Sequence, residues 1–150
     1  MTFHNEFHFD LETSVTPGVK YDYFEPRQLG YKYAEPRAIW AGFNFNTDTR
    51  KRLSISRMLI GYWIAEKYNK SAFYLQMNPS VRFNDRLATT IGFFGIFNEN
   101  AIGYAENDAI SGVPVFGRRD IKNYEQSAEL NYILSKNAFA NIRARYNWTS

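Results

Sequence analysis

Hydrophobic and polar residues take turns along much of this chain. Over residues 3–11 the apolar Phe3, Phe7, Phe9 and Leu11 alternate with His4, Glu6, His8 and Asp10. Successive strand side chains point to opposite sides, so this pattern predicts a strand with one wet face. Ile39, Ala41, Phe43 and Phe45 alternate with Trp40, Gly42, Asn44 and Asn46, and a polar turn over residues 47–51 leads into a third strand over 53–64. After a polar connection at 67–70, Phe73, Leu75 and Met77 alternate with Tyr74, Gln76 and Asn78. A turn over 79–86 follows, then Leu87, Thr89, Ile91, Phe93 and Phe97 continue the alternation before an expected exposed loop over 98–112.

Residues 12–37 read as a long loop with an extended excursion. Within it Tyr23-Phe24-Glu25-Pro26-Arg27 is echoed by Tyr33-Ala34-Glu35-Pro36-Arg37. Proline disfavours helix at the preceding residue, and these units are expected to cap strand ends.

The last hairpin carries the most information. A three-residue turn at Ser135-Lys136-Asn137 sets Leu134 opposite Ala138. One face then pairs Tyr132 with Ala140, Leu130 with Ile142, Ala128 with Ala144, Gln126 with Tyr146 and Tyr124 with Trp148. The other pairs Ile133 with Phe139, Asn131 with Asn141, Glu129 with Arg143, Ser127 with Arg145 and Glu125 with Asn147. The first face is nearly all apolar with aromatics toward its ends, and the second is polar and charge-complementary. At ~3.3 Å per residue and a tilt of ~40°, Tyr124 and Tyr132 are separated by roughly 20 Å of height, close to the lipid-facing band of a membrane barrel.

Composition sharpens this. Aromatics make up 18% of the 150 residues, yet the mean hydropathy is that of a polar protein, -0.47. Alternating strands reconcile the two. The wet face is rich in Asn, Gln, Ser and Gly rather than the Lys and Glu of a water-exposed sandwich face, which favours a confined polar lumen. The net charge of +3 comes from scattered residues with no basic block, so nucleic acid is not an expected partner. With no Cys, thiolate zinc sites and disulfides are excluded. No run approaches the ~18 apolar residues of a membrane-spanning helix. Residues 1–6 lack the basic-then-apolar start of a signal peptide, so the barrel reading carries the expectation of a mature segment or a fragment.

Candidate chemistry is sparse. His4 and His8, four apart on a strand, have Cα atoms about 13 Å apart and cannot chelate one ion together. Glu125 and Glu129 have the same spacing, too wide for an acid–base pair of the glycosidase kind. With Asn131, Asn141, Arg143 and Arg145 they are expected to line a lumen as a ladder that holds register, with binding of a polar solute as the functional alternative. Arg118, Arg119 and Asp120 are expected to form turn-fixing ion pairs before the hairpin. The aromatic and basic residues Tyr21, Tyr23, Arg27, Tyr31, Lys32, Tyr33 and Arg37 fit a packed loop, with contact to sugar rings as the functional alternative. No phosphate loop, nucleophile elbow or His-Glu-x-x-His motif is present, so neither enzyme activity, metal nor cofactor is expected.

Three stretches carry a family resemblance: Val115-Phe116-Gly117-Arg118-Arg119-Asp120, Tyr124-Glu125-Gln126-Ser127 and Ile142-Arg143-Ala144-Arg145-Tyr146-Asn147-Trp148. So do the turns Phe45-Asn46-Thr47-Asp48-Thr49-Arg50-Lys51 and Arg82-Phe83-Asn84-Asp85-Arg86-Leu87. Over most of residues 20–148 the chain resembles Bacteroidota outer-membrane proteins that join an N-terminal carbohydrate-binding (family 9 like) sandwich to a C-terminal barrel of unknown function. The most specific piece is the Phe-Gly-Arg-Arg-Asp run. The resemblance implies an N-terminal domain and further strands outside residues 1–150, with closure by that sequence or by partner chains.

The expectation is therefore an all-β antiparallel meander of about seven strands, residues 1–150 being part of a transmembrane β-barrel in the bacterial outer membrane. Its partners would be the lipid bilayer, a polar solute or glycan, and other envelope proteins. The alternatives are a soluble antiparallel barrel or sandwich that binds a small ligand or glycan, and a purely structural part of an envelope assembly.

Overall fold

The computed structural model describes residues 7–150, which form nine strands. These are β1 (His8–Thr16), β2 (Lys20–Asp22), β3 (Tyr33–Glu35), β4 (Ala38–Asn46), β5 (Leu53–Ala65), β6 (Ser71–Arg82), β7 (Leu87–Asn107), β8 (Pro114–Ser135) and β9 (Ala138–Thr149). Seven of them make one antiparallel sheet in the order β1-β4-β5-β6-β7-β8-β9, while β2 and β3 form a separate hairpin. The all-β meander expected from the alternation is thus present. Its edges, β1 and β9, do not pair with each other among the described residues, so the sheet is open. No described helix is long and apolar enough to cross a membrane.

Ladder partners share a face, so register traces each face across the sheet. One row runs Leu11, Phe43, Ile60, Leu75, Gly95, Tyr124, Trp148. The neighbouring row, on the opposite face, runs Asp10, Asn44, Leu59, Gln76, Phe94, Glu125, Asn147. Every strand of the sheet contributes to both an apolar and a predominantly polar face.

Exposure is inverted relative to a water-soluble sheet. Along β5, Ile60, Tyr62 and Ile64 on the apolar face are 40%, 47% and 49% exposed, while Gly61 and Ala65 on the other face are buried and Trp63 half-buried. No second layer covers the apolar face among the described residues, where the buried hydrophobic side chains are Tyr33, Ala38, Ala65 and Ala72. The polar face is crowded: a methyl group added at Gly61 would overlap the indole of Trp40, and one at Gly92 would overlap the Ser127 hydroxyl. Gly95, on the apolar face, meets the Phe97 ring at a milder 3.1 Å. Crowding on one face and openness on the other are what a sheet curved toward its polar side produces.

Several boundaries differ from expectation. β1 extends to Thr16 rather than ending at Leu11, and residues 1–6, including His4, lie outside the described residues. β6 continues through Pro79, which pairs with Ile55 where the β5–β6 register shifts; a bulge accommodates the missing donor. The following turn is therefore only 83–86, fixed by Asn84 Oδ1, which accepts the N–H groups of Arg86 (2.8 Å) and Leu87 (2.9 Å). The expected loop over 98–112 is mostly strand, since β7 runs to Asn107 and β8 begins at Pro114. The polar run Asn98-Glu99-Asn100 and the bulge there interrupt the alternation and hide the pairing. Asn100, in the left-handed region at φ 52°, occupies the bulge between Asn98 and Ala101. In the final hairpin Ser135 pairs with Ala138 and the register shifts at Leu134, so the turn is tighter than the three residues expected.

The excursion over 17–37 sits in a step. β7 and β8, at 21 and 22 residues, rise past the 13-residue β5 and 12-residue β6. Into that step pack Pro26, fully buried, and Tyr33, whose ring lies 5.2 Å from that of Phe116. The Glu66 N–H donates to the Arg37 carbonyl at 2.8 Å. Arg27 lies over the Tyr104 ring at 5.4 Å and Lys32 over the Tyr21 ring at 4.0 Å, while Tyr21, Tyr23 and Tyr31 stay exposed, so of the excursion's tyrosines Tyr33 is the buried one.

Candidate functional site

The β8–β9 ladder has the cross-strand pairs read from the sequence, from Tyr124 opposite Trp148 to Ile133 opposite Phe139. Glu125, Glu129, Asn131, Asn141, Arg143 and Arg145 consequently share the polar face. Glu129 Oε1 accepts the carboxamide N–H groups of Asn131 (3.0 Å) and Asn141 (2.9 Å), and Asn141 also donates to Asn131 Oδ1 at 2.7 Å. Arg143 faces Glu129 in the ladder, but the ion pair runs diagonally from Arg145 to Glu125, 3.2 Å apart. The surface therefore presents fixed carboxylates, carboxamides and guanidinium groups. Such an array can hold polar solutes by hydrogen bonding and contains no nucleophile with an adjacent base.

Arg118, Arg119 and Asp120 stand within β8 and not in a turn, because the β7–β8 ladder continues to Pro114. Asp120 accepts the Asn100 backbone N–H at 2.8 Å, fixing the bulge, and Arg118 lies over the Tyr68 ring at 5.7 Å. Arg118 thus joins the tall hairpin to the 66–70 turn, while Asp120 acts within the hairpin. His8 contacts Asp10 at 2.7 Å. No cluster of three or more potential ligands occurs among the described residues.

A second feature of the polar face went unread in the sequence. Trp40 and Trp63 are ladder partners at the end of the sheet near the 66–70 turn. The Trp40 indole lies across Gly42 and Gly61, and Tyr74 stands perpendicular to it with ring centres 5.1 Å apart. Lys70 Nζ sits 5.3 Å from the Trp63 ring centre. With Leu59, Ala72 and Asn98 these side chains line a concavity of about 470 Å³. Counting parity from Trp40 through the β4–β5 turn is the available signal, but the run over 58–64 is apolar on both faces and masks it.

Rings also gather on the apolar face. Phe73 and Phe97 (5.9 Å), Phe97 and Tyr124 (5.0 Å), and Tyr124 and Trp148 (5.2 Å) form a continuous row over β6 to β9. Tyr62 extends it to β5 as the ladder partner of Phe73.

No curated protein and no solved structure matches the chain. Residues 1–150 match, over their whole length, the family described as a domain of unknown function, DUF5916, and the chain belongs to that family.

Proposed function

We propose that this chain is a segment of a bacterial outer-membrane β-barrel whose apolar face meets lipid and whose polar face lines a lumen that accommodates a polar solute. The observation that carries the reading is the inverted exposure: an uncovered apolar face spanning all seven strands, opposite a crowded polar one. A single sheet with such a face needs a partner medium or layer. In a soluble ligand-binding barrel the crowded concave side would be apolar, whereas here it holds Asn, Gln, Ser, Glu and Arg. The aromatic row supports lipid, because transmembrane barrels place rings in girdles at the membrane boundary. The 17–37 excursion and the tall β7–β8 hairpin lie at the same end of the sheet, which fits the same architecture. The edges β1 and β9 would be closed by further strands or partner chains, since unpaired backbone groups cost several kcal/mol in lipid.

Single-tryptophan forms of the full-length protein test this in vesicles. Trp148, on the apolar face, is expected to be quenched by brominated lipid acyl chains; Trp40 and Trp63, on the polar face, by aqueous acrylamide. Accessibility of Trp148 to acrylamide without lipid quenching, or full recovery as a soluble monomer, would overturn the proposal in favour of a soluble ligand-binding β-fold.

A further inference from the structure

We propose that the concavity around Trp40, Trp63 and Tyr74 binds a pyranose ring of a neutral oligosaccharide. Its position at the mouth of a lumen rests on the barrel reading, whereas the site itself stands on its own geometry. Gly42 and Gly61 have no side chains, which lets the Trp40 indole lie against the sheet; any larger residue at Gly61 would meet the ring. Tyr74 abuts it at 88° and restrains its rotation. A large flat apolar surface is thereby fixed in advance, and preorganisation lowers the ordering cost of binding. Sugars present C–H faces to such rings and hydroxyls to polar neighbours, and the Lys70 ammonium and Asn98 carboxamide supply donors and an acceptor at the rim. At about 470 Å³ the concavity falls in the range of small-molecule sites. The charge state of the ligand follows from the lining. Lys70 already occupies the Trp63 ring as its cation, so a cationic ligand would be repelled. No second cation lines the concavity to hold an anion, and no carboxylate lines it.

The test uses the full-length protein in detergent micelles, carrying Trp148→Phe so that indole fluorescence reports only the polar face of this domain, with tryptophans elsewhere in the protein also replaced. Maltohexaose, cellohexaose, xylohexaose and mannohexaose are titrated separately. At least one is expected to give a saturable fluorescence change. Calorimetry is expected to show binding weakened by about ten-fold or more in Trp40→Ala and in Trp63→Ala. Gly61→Val, which displaces Trp40, is expected to weaken it similarly while heat-modifiable gel migration is retained. Folded protein that binds none of the four sugars, or that binds equally well in all three variants, overturns the site. Saturable binding of adenosine with no sugar binding also overturns it, in favour of a planar aromatic ligand. Sugar binding by a protein recovered as a soluble monomer would overturn the barrel and leave the site standing.

Discussion

Glu25 accepts the backbone N–H of Tyr104 at 2.8 Å, joining the excursion to β7 across 79 positions of sequence. The bond falls where β7 rises beyond the last β6 pairing at Glu99, so the carboxylate satisfies a donor that no neighbouring strand reaches. Removing it leaves that donor unmet in a half-buried position, at a cost of about 1–3 kcal/mol. Glu25→Ala is expected to speed tryptic cleavage at Lys20, Arg27 and Lys32 by about ten-fold or more under native conditions. Unchanged cleavage would mean that Tyr33 and Pro26 hold the excursion without this bond.

Tyr33 makes that docking sensitive to alkali. Burial, and then the proximity of Tyr68, Glu35 and Glu25, push its phenol above the ordinary value of 10.0. The docked state thus holds the phenolic proton more tightly than the free loop does. Its contribution is complete below the ordinary value and is lost as pH rises through the raised one. Tryptic cleavage of the excursion, normalised to an unstructured peptide, is expected to accelerate in that alkaline window for the wild type. In Tyr33→Phe the step is expected to vanish; persistence of the same step would assign it to another group.

The sheet was legible because one face contrasts with the other. Alternation in 39–46 and 124–148 located β4, β8 and β9, and a three-residue turn at 135–137 implied the pairs from Tyr124–Trp148 to Ile133–Phe139, which hold because the bulge at Leu134 offsets the tighter turn. Where contrast fails, so did the reading. Asn98-Glu99-Asn100 is a polar run with a bulge that interrupts the alternation and resembles a loop; 58–64 is apolar on both faces and conceals Trp63 on the polar side. The excursion that contains β2–β3 is held through Arg37, Glu25 and Tyr33 by contacts to Glu66, Tyr104 and Phe116, all distant in sequence, which leave no periodic trace.

Asp108 closes the β7–β8 turn from the acid side. It accepts hydrogen bonds from the Ser111 N–H (2.7 Å), the Ser111 hydroxyl (2.8 Å) and the Ile110 N–H (3.0 Å). The Ser111 backbone bond, then the hydroxyl and the Ile110 N–H, hold its carboxyl below the usual 3.8. Its help to the turn is therefore present above the ordinary carboxylate value and lost as pH falls through the depressed one. Hydrogen exchange of the 108–113 segment should be slower in wild type than in Asp108→Ala at around pH 5, with the difference gone near about pH 2. A difference that survives at the lower pH would show that the carboxyl's charge does not set the turn's order.

Ala144 offers the sharpest test of what covers the apolar face. It pairs with Ala128, midway along β8 between Tyr124 and Tyr132, and its neighbours on that face are apolar apart from Gln126. If those rings mark the two membrane boundaries, Ala144 lies near the bilayer midplane. An arginine there should destabilise the full-length protein by ~2–4 kcal/mol in reversible urea unfolding from lipid vesicles. Its chain neighbour Arg143 points to the other face, where Arg143→Gln should stay within ~0.5 kcal/mol because Glu129 is held by Asn131 and Asn141 instead. Ala144→Leu separates lipid from a packed protein layer. In lipid the added methylenes have room and should stabilise, whereas inside a protein core they would overpack at a cost of about 1–3 kcal/mol. Destabilisation by both arginine and leucine would place a protein layer, not acyl chains, over this face.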